Sequence, residues 1–143
     1  MPTKAGKLKF KDIRQGRTGW LVAAVEYEGR LRALEPTRIE IAERPFKMPI
    51  KGWSFSFHGT TSHGVHRRSR ITCASVGLTG NAQGQLSWIF TTYSAAEKYL
   101  SDHNAEIVDI GTLELYNTMN VMGQQIKLTQ GRFPLSVRNT VRL

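Results

Sequence analysis

Carboxylates are missing from two long stretches of this chain: no Asp or Glu lies between Glu43 and Glu97, and none follows Glu114. Cysteine is scarcer still. Cys73 is alone, so no disulfide can close within one chain, which excludes a disulfide-stapled scaffold. Met1 to Phe10 is basic and lacks the apolar run of a signal peptide; with the lone cysteine, this predicts a reducing, cytoplasmic setting. Long apolar runs are absent too. The longest, Trp20 to Val25, is far short of the roughly 20 residues that cross a bilayer, so no membrane partner is expected. Neither an internal repeat, a low-complexity tract nor a separating linker interrupts the chain, and residues 1–143 read as a single domain with residues 1–12 as a flexible basic N-terminal arm.

What is present is enough for a core. At 143 residues, roughly 68–70% of the unfolded surface can be buried on folding. Apolar residues make up 40% and charged residues 22%, a globular balance. The net charge of +9 is unevenly spread. Lys4, Lys7, Lys9, Lys11, Arg14 and Arg17 are accompanied only by Asp12, and Arg44, Lys47, Lys51, Arg67, Arg68 and Arg70 fall inside the carboxylate-free middle. The acids gather at Glu97, Asp102, Glu106, Asp109 and Glu114. A fold that keeps these blocks apart is a dipole whose cationic side attracts polyanions.

Hydrophobic spacing predicts an α+β fold: a mostly antiparallel β-sheet, as an open sheet or partial barrel, with one short helix packed on it. Gly19 to Glu28 reads as a strand that turns at Glu28-Gly29 into Arg30 to Leu34. Arg38 to Glu43 alternates polar and apolar. Pro45 and Pro49 are expected to break the ladder before Gly52 to Phe57, where Trp53, Phe55 and Phe57 alternate with serine on one buried face; the alternative for these aromatics is a base-stacking platform of the kind single-strand binders use. His58 to Arg70, polar and rich in arginine, reads as an exposed loop. Ile71 to Leu78 and Leu86 to Thr91 read as a hairpin, with Cys73 buried inside its first strand.

Ser94 to Glu97 has capping-box spacing, with Ser94 as the cap of a helix ending near His103 and Asn104 as its left-handed stop. Glu106 to Tyr116 is expected to be extended, Asn117 to Gly123 is ambiguous, and Gln125 to Thr129 with Phe133 to Val137 suggests a last strand pair.

No catalytic or cofactor signature is visible. There is no G-x-S-x-G, no phosphate-cradling G-x-x-x-x-G-K and no paired ligand spacing of a zinc site. His58, His63 and His66 with Cys73 make a poor metal constellation, so neither a metal nor a cofactor is expected. A nuclease built from His63, His66 and Arg68 has proton-transfer and phosphate-holding groups but no carboxylate near in sequence to orient an imidazole. The leading expectation is a small non-catalytic nucleic-acid-binding protein. Its contacts would be Lys7, Lys9, Lys11 and Arg14 from the arm, with Arg67, Arg68, Arg70, His63 and His66 from the loop, as phosphate binders. RNA and DNA stay open. The alternative is an interaction module or inhibitor that docks on an acidic surface of a larger protein.

Overall fold

The computed structural model describes residues 6–60, 66–80 and 84–132. Its elements are β1 (Thr18–Val22), β2 (Ala24–Tyr27), β3 (Arg30–Ala33), β4 (Thr37–Met48), β5 (Gly52–Thr60), β6 (His66–Thr72), β7 (Trp88–Phe90), α1 (Tyr93–Asp102), β8 (Glu106–Ile107) and α2 (Ile110–Arg132). Five strands form an antiparallel sheet in the order β6-β5-β4-β1-β7, with β6 and β7 at its edges. The second sheet, β2-β3-β8, joins an antiparallel hairpin to a short parallel strand. The chain is therefore mixed α+β, its main sheet is not closed, and two helices accompany the sheets. No described helix is long and apolar enough to cross a membrane.

The stretch expected as one strand, Gly19 to Glu28, is two strands in two sheets, broken at Ala23. β1 pairs β4 and β7, whereas β2 pairs only β3 among the strands. The orphaned backbone after the break is served by one side chain: the Ser87 hydroxyl accepts from the Ala24 N–H at 3.0 Å and donates to the Ala24 carbonyl at 3.3 Å. The β2–β3 turn is the expected one. Glu28 and Gly29 have φ of 52° and 75°, the paired left-handed geometry of a tight hairpin turn.

In β4, Ile39 and Ile41 are buried while Arg38 and Glu40 are exposed, as the alternation predicts. Pro45 does not end this strand. It sits where the β4–β5 register shifts between Glu43 and Phe46, and a bulge tolerates a residue with no backbone donor. In β5, Phe55 and Phe57 are buried, but Trp53 is 42% exposed at the strand's beginning, so the three aromatics do not share one buried face. Ser54 and Ser56, on the opposite face, are buried as well.

The expected arginine loop is a strand. His58 to Thr60 completes β5, and β6 pairs back along it from Thr60↔His66 to Ser54↔Thr72. Its polar composition suits an edge strand, where charge discourages pairing with another sheet. The expected hairpin of Ile71 to Leu78 with Leu86 to Thr91 is also replaced. β6 stops at Thr72, a 3-10 turn takes Ala74–Val76, and β7 pairs with β1 instead. Gly77 makes this possible: its φ is 73°, and a Cβ there would collide with the Trp88 ring. Cys73 is buried, but in the turn rather than in a strand.

Two apolar clusters lie about the main sheet. One gathers Ile39, Ile41, Phe55, Phe57 and Ile89 under Leu8 and Ile13. The other joins Val22 and Phe90 to Ala24, Leu31 and Ala33 of the small sheet and to Ala96 and Leu100 of α1.

The α1 cap is Thr92, not Ser94: the Thr92 side chain accepts from the Ala95 N–H at 3.1 Å, and Ser94 lies inside the first turn. The helix starts earlier because Thr92 is the last extended residue, and the capping side chain must precede the helical ones. Asn104, with φ of 50°, follows it in the left-handed conformation expected of a stop.

The largest departure is the C-terminal third. Among its described residues Glu106–Ile107 is the one strand, and Ile110–Arg132, including Asn117 to Gly123 and Gln125 to Thr129, is helix. Asp109 explains the switch, since its carboxylate accepts from the Thr112 N–H at 2.7 Å and satisfies a donor left orphaned at the helix start. Those bonds hold the Asp109 carboxyl below its ordinary pKa. Apolar β-formers around it suggested extension, but propensity for a strand is readily overridden by context. Phe133 to Val137 lies outside the described residues.

Two stability measurements check this description. Phe55→Ala removes a ring that is 0% exposed and is expected to cost about 3–5 kcal/mol in urea unfolding. Thr92→Ala is expected to cost about 1 kcal/mol through loss of the cap, whereas Ser94→Ala is expected to stay within about 0.5 kcal/mol; the opposite ranking would return the cap to Ser94.

Candidate nucleic-acid interface

In its described part, residues 6–12, the N-terminal segment is laid against the main sheet. Lys7 bridges Phe90 of edge strand β7, and the Leu8 N–H donates to the Ile89 carbonyl at 2.9 Å. Gly19 permits the close approach, because a Cβ there would press on Leu8 and Ile89. The segment then runs across that face of the sheet, where Leu8 and Phe10 join the cluster of Ile39, Ile41, Phe55 and Phe57 and Phe10 meets Trp53 edge-on with centroids 5.7 Å apart. Residues 1–5 lie outside the described residues.

This path separates the expected contacts. The Lys7 ammonium is 3.8 Å from the centre of the Trp88 ring, and partial burial lowers its pKa. It holds the β7 edge, while Arg67, Arg68 and Arg70 lie on β6 at the other edge. Lys9, Lys11 and Arg14 are exposed, and the Phe10–Trp53 contact brings Lys9 and Lys11 to the end of the sheet formed by the β4–β5 turn. On β6 the arginines alternate. Arg68 and Arg70 stand opposite His58 and Ser56, and Arg67 stands opposite Gly59, so one of the three projects on the other face. His63 lies outside the described residues, and His66 is placed by its backbone pairing with Thr60.

The β4–β5 end gathers residues that the sequence reading named separately, Trp53 as core or stacking surface and Lys47 and Lys51 as cations of the carboxylate-free middle. Trp53 pairs with Lys47 across the strands, Lys51 is exposed in the turn between them, and Ile50 stands fully exposed at its tip. On the other face the Arg70 guanidinium lies 5.3 Å from the centre of the Phe46 ring, and its Nη1 is 4.0 Å from the Met48 sulfur. This end thus presents cations beside aromatic rings on both faces. The carboxylates near it are engaged. Asp12 accepts from the Lys9 N–H at 2.8 Å and lies 3.9 Å from Arg17; Glu43 accepts from the Ser56 hydroxyl at 3.4 Å and lies 3.9 Å from Arg68. Arg68 is accordingly an ion-paired member of the cluster. The signal available in sequence was the carboxylate-free middle itself; what hid the site was the reading of Trp53 as core.

A cross-strand row also brings Glu40, His58 and Arg68 together on β4, β5 and β6. The row supplies the carboxylate that the sequence did not place near a histidine, on His58 rather than on His63 or His66. Among the described residues, no three side chains of His, Cys, Asp or Glu are grouped to hold a metal ion.

Cys73 adjoins the cluster through its backbone, its N–H donating to the Trp53 carbonyl at 2.9 Å, while its side chain belongs to the core beside Phe55 and Phe57. Its side chain is 0% exposed, and desolvation pushes the thiol up from 9.0 to about 11, so the neutral form prevails in the fold. The folded protein holds this proton more tightly than the unfolded chain. Its contribution to stability is therefore complete below pH 9 and is lost as pH rises through about 11. The native thiol is expected to resist a disulfide reagent at pH 8 and to react only in denaturant; rapid native labelling would contradict its burial.

Comparison with protein-family models, curated proteins and solved structures finds no match for this chain.

Proposed function

We propose that the chain is a non-catalytic nucleic-acid-binding domain whose contact surface is the β4–β5 end of the main sheet. The observation that carries this reading is Trp53: 42% exposed, paired with Lys47 across the strands and edge-on to Phe10, whose sequence neighbours Lys9 and Lys11 are exposed, as is Lys51 in the turn. An aromatic face among cations suits an unpaired base stacked on the ring while its phosphates meet the lysines. Arg67 and Arg70 extend the charge along β6 and can fork onto phosphate oxygens. Lys7 is assigned to the fold rather than to the ligand. A reducing, cytoplasmic setting belongs to the same reading, because the lone cysteine has no partner within the chain.

Charge alone would attract duplex and single strand alike. The exposed indole favours single strands, since stacking needs a base that is free of its own neighbours. Nothing in the arrangement selects a base edge, so binding is expected to be tolerant of sequence.

Titration of a fluorescent oligothymidylate or oligouridylate at several salt concentrations tests this. Trp53→Ala is expected to weaken binding by about 1–3 kcal/mol, the usual worth of one stacked base. Lys47→Gln with Lys51→Gln should flatten the slope of log affinity against log salt by up to about 1.4, taking about 0.7 per phosphate contact on a single strand. Lys98→Gln on α1, where Lys98 pairs with Asp102 at 3.0 Å, should change neither. A wild-type protein that binds no oligonucleotide at low salt would overturn the reading and leave the acidic-protein partner.

A further inference from the structure

The second helix exposes more apolar surface than one sheet can account for. Its inner side is settled. Leu113 is buried, the Tyr116 ring stacks on Tyr27 with centroids 4.5 Å apart, and the Asn120 amide donates to the Glu26 carbonyl at 2.6 Å. Beside that side runs a stripe of Leu115, Met119 and Met122, exposed by 55%, 44% and 54%, in which Met119 borders the inner side and its sulfur accepts from the Tyr27 hydroxyl at 3.6 Å. Spacings of four and then three residues place them on one line along the helix, the repeat that seats one helix against another. At 23 residues, α2 is about 34 Å long, and Tyr116, Met119 and Asn120, which contact the small sheet, lie in its first half.

We propose that this stripe is the interface between two copies of the chain, which pair through α2 in antiparallel fashion. Charge identifies the occupant. Between Glu114 and Lys127 the sequence contains no charged residue, so two copies of this segment meet without repulsion and offer nothing to a strongly charged partner. The two bounding charges are opposite. An antiparallel pair brings the Glu114 end of one helix to the Lys127 end of the other, whereas a parallel pair sets like against like. Opposed helix dipoles favour the same direction. A two-fold axis across the helix then makes the interface self-complementary. The stripe lies on α2 and the Trp53 cluster on the turn between β4 and β5, so pairing does not depend on the nucleic-acid reading.

Sedimentation equilibrium of the full chain, nuclease-treated and in high salt so that no nucleic acid bridges the copies, is expected to show mass rising with concentration from 16.1 kDa toward twice that value. Leu115→Glu with Met122→Glu should hold the protein at one chain; neither side chain takes part in a described hydrogen bond, and an unchanged circular dichroism spectrum would establish that the fold persists. Glu114→Lys should weaken association at moderate salt, and Glu114→Lys combined with Lys127→Glu should restore it. A single-chain mass for the wild type at all concentrations overturns the proposal, as does a dimer that survives the Leu115 and Met122 changes. A failure of the charge exchange to restore pairing overturns the antiparallel arrangement. Loss of oligonucleotide binding in Trp53→Ala with normal association would leave this proposal intact.

Discussion

The hydroxyl of Ser87 holds the point on which both sheets depend. Where the chain leaves β1 for β2, Ala24 stands opposite Ala33 of β3, but its N–H and carbonyl are met by a side chain, and left unpaired and buried they would cost a few kilocalories per mole. Ser87 engages both groups at once, just before β7 pairs with β1. The strand break, the position of β7 and the entry to the small sheet are thus one event. Val22 on one side of it and Ala24 and Ala33 on the other join a single cluster closed by Phe90 and α1.

From that junction the molecule divides into two chemical halves. Toward β7, aromatic rings are consumed by the fold: Phe90 lies 5.3 Å from Tyr99, Trp20 lies 5.0 Å from Tyr93, and the Tyr99 hydroxyl donates to the Leu86 carbonyl at 2.7 Å. Even Lys7 is held over Trp88. Toward β6 the sheet's second face has no helix on it among the described residues, and the buried Ser54 and Ser56 stand opposite Phe46, Glu43 and Arg70 across the strands. Small hydroxyl side chains there let the arginines lie across the sheet with their charged heads in water. The same composition that looks like a loop in sequence is what an exposed, cationic sheet face requires.

Sequence patterning made the period-two elements legible wherever one face is buried and the other wet. Ile39 and Ile41, Phe55 and Phe57, and the Glu28-Gly29 turn are of this kind. It failed where that contrast was absent. β6 is an edge strand whose inner side chains include Arg67 and Ser69, so its alternation lacks an apolar member until Ile71. The helix α2 bears apolar residues on more than one side, which blurs the helical period that would have distinguished it from a strand. Trp53 illustrates the limit for the site: its spacing from Phe55 is that of a core position, and only its place at the end of β5 exposes it.

Arg32 shows how α2 can keep so much apolar surface outward and yet stay attached. Its guanidinium reaches Glu106 of β8 at 2.5 Å, the Tyr116 hydroxyl at 3.3 Å and the Tyr27 carbonyl at 3.3 Å, with the Tyr116 ring 5.0 Å away. These contacts tie the β2–β3 hairpin, β8 and the first turns of α2 to one side chain that is only 14% exposed. A charge-assisted cluster of this sort fixes direction as well as position, because the guanidinium fork accepts few arrangements. Most of the helix's apolar residues are then not required for its attachment. Anchoring by a polar node at one end leaves Leu115 and Met122 outward along the stripe, with Met119 between them half-exposed and its sulfur accepting from the Tyr27 hydroxyl at 3.6 Å.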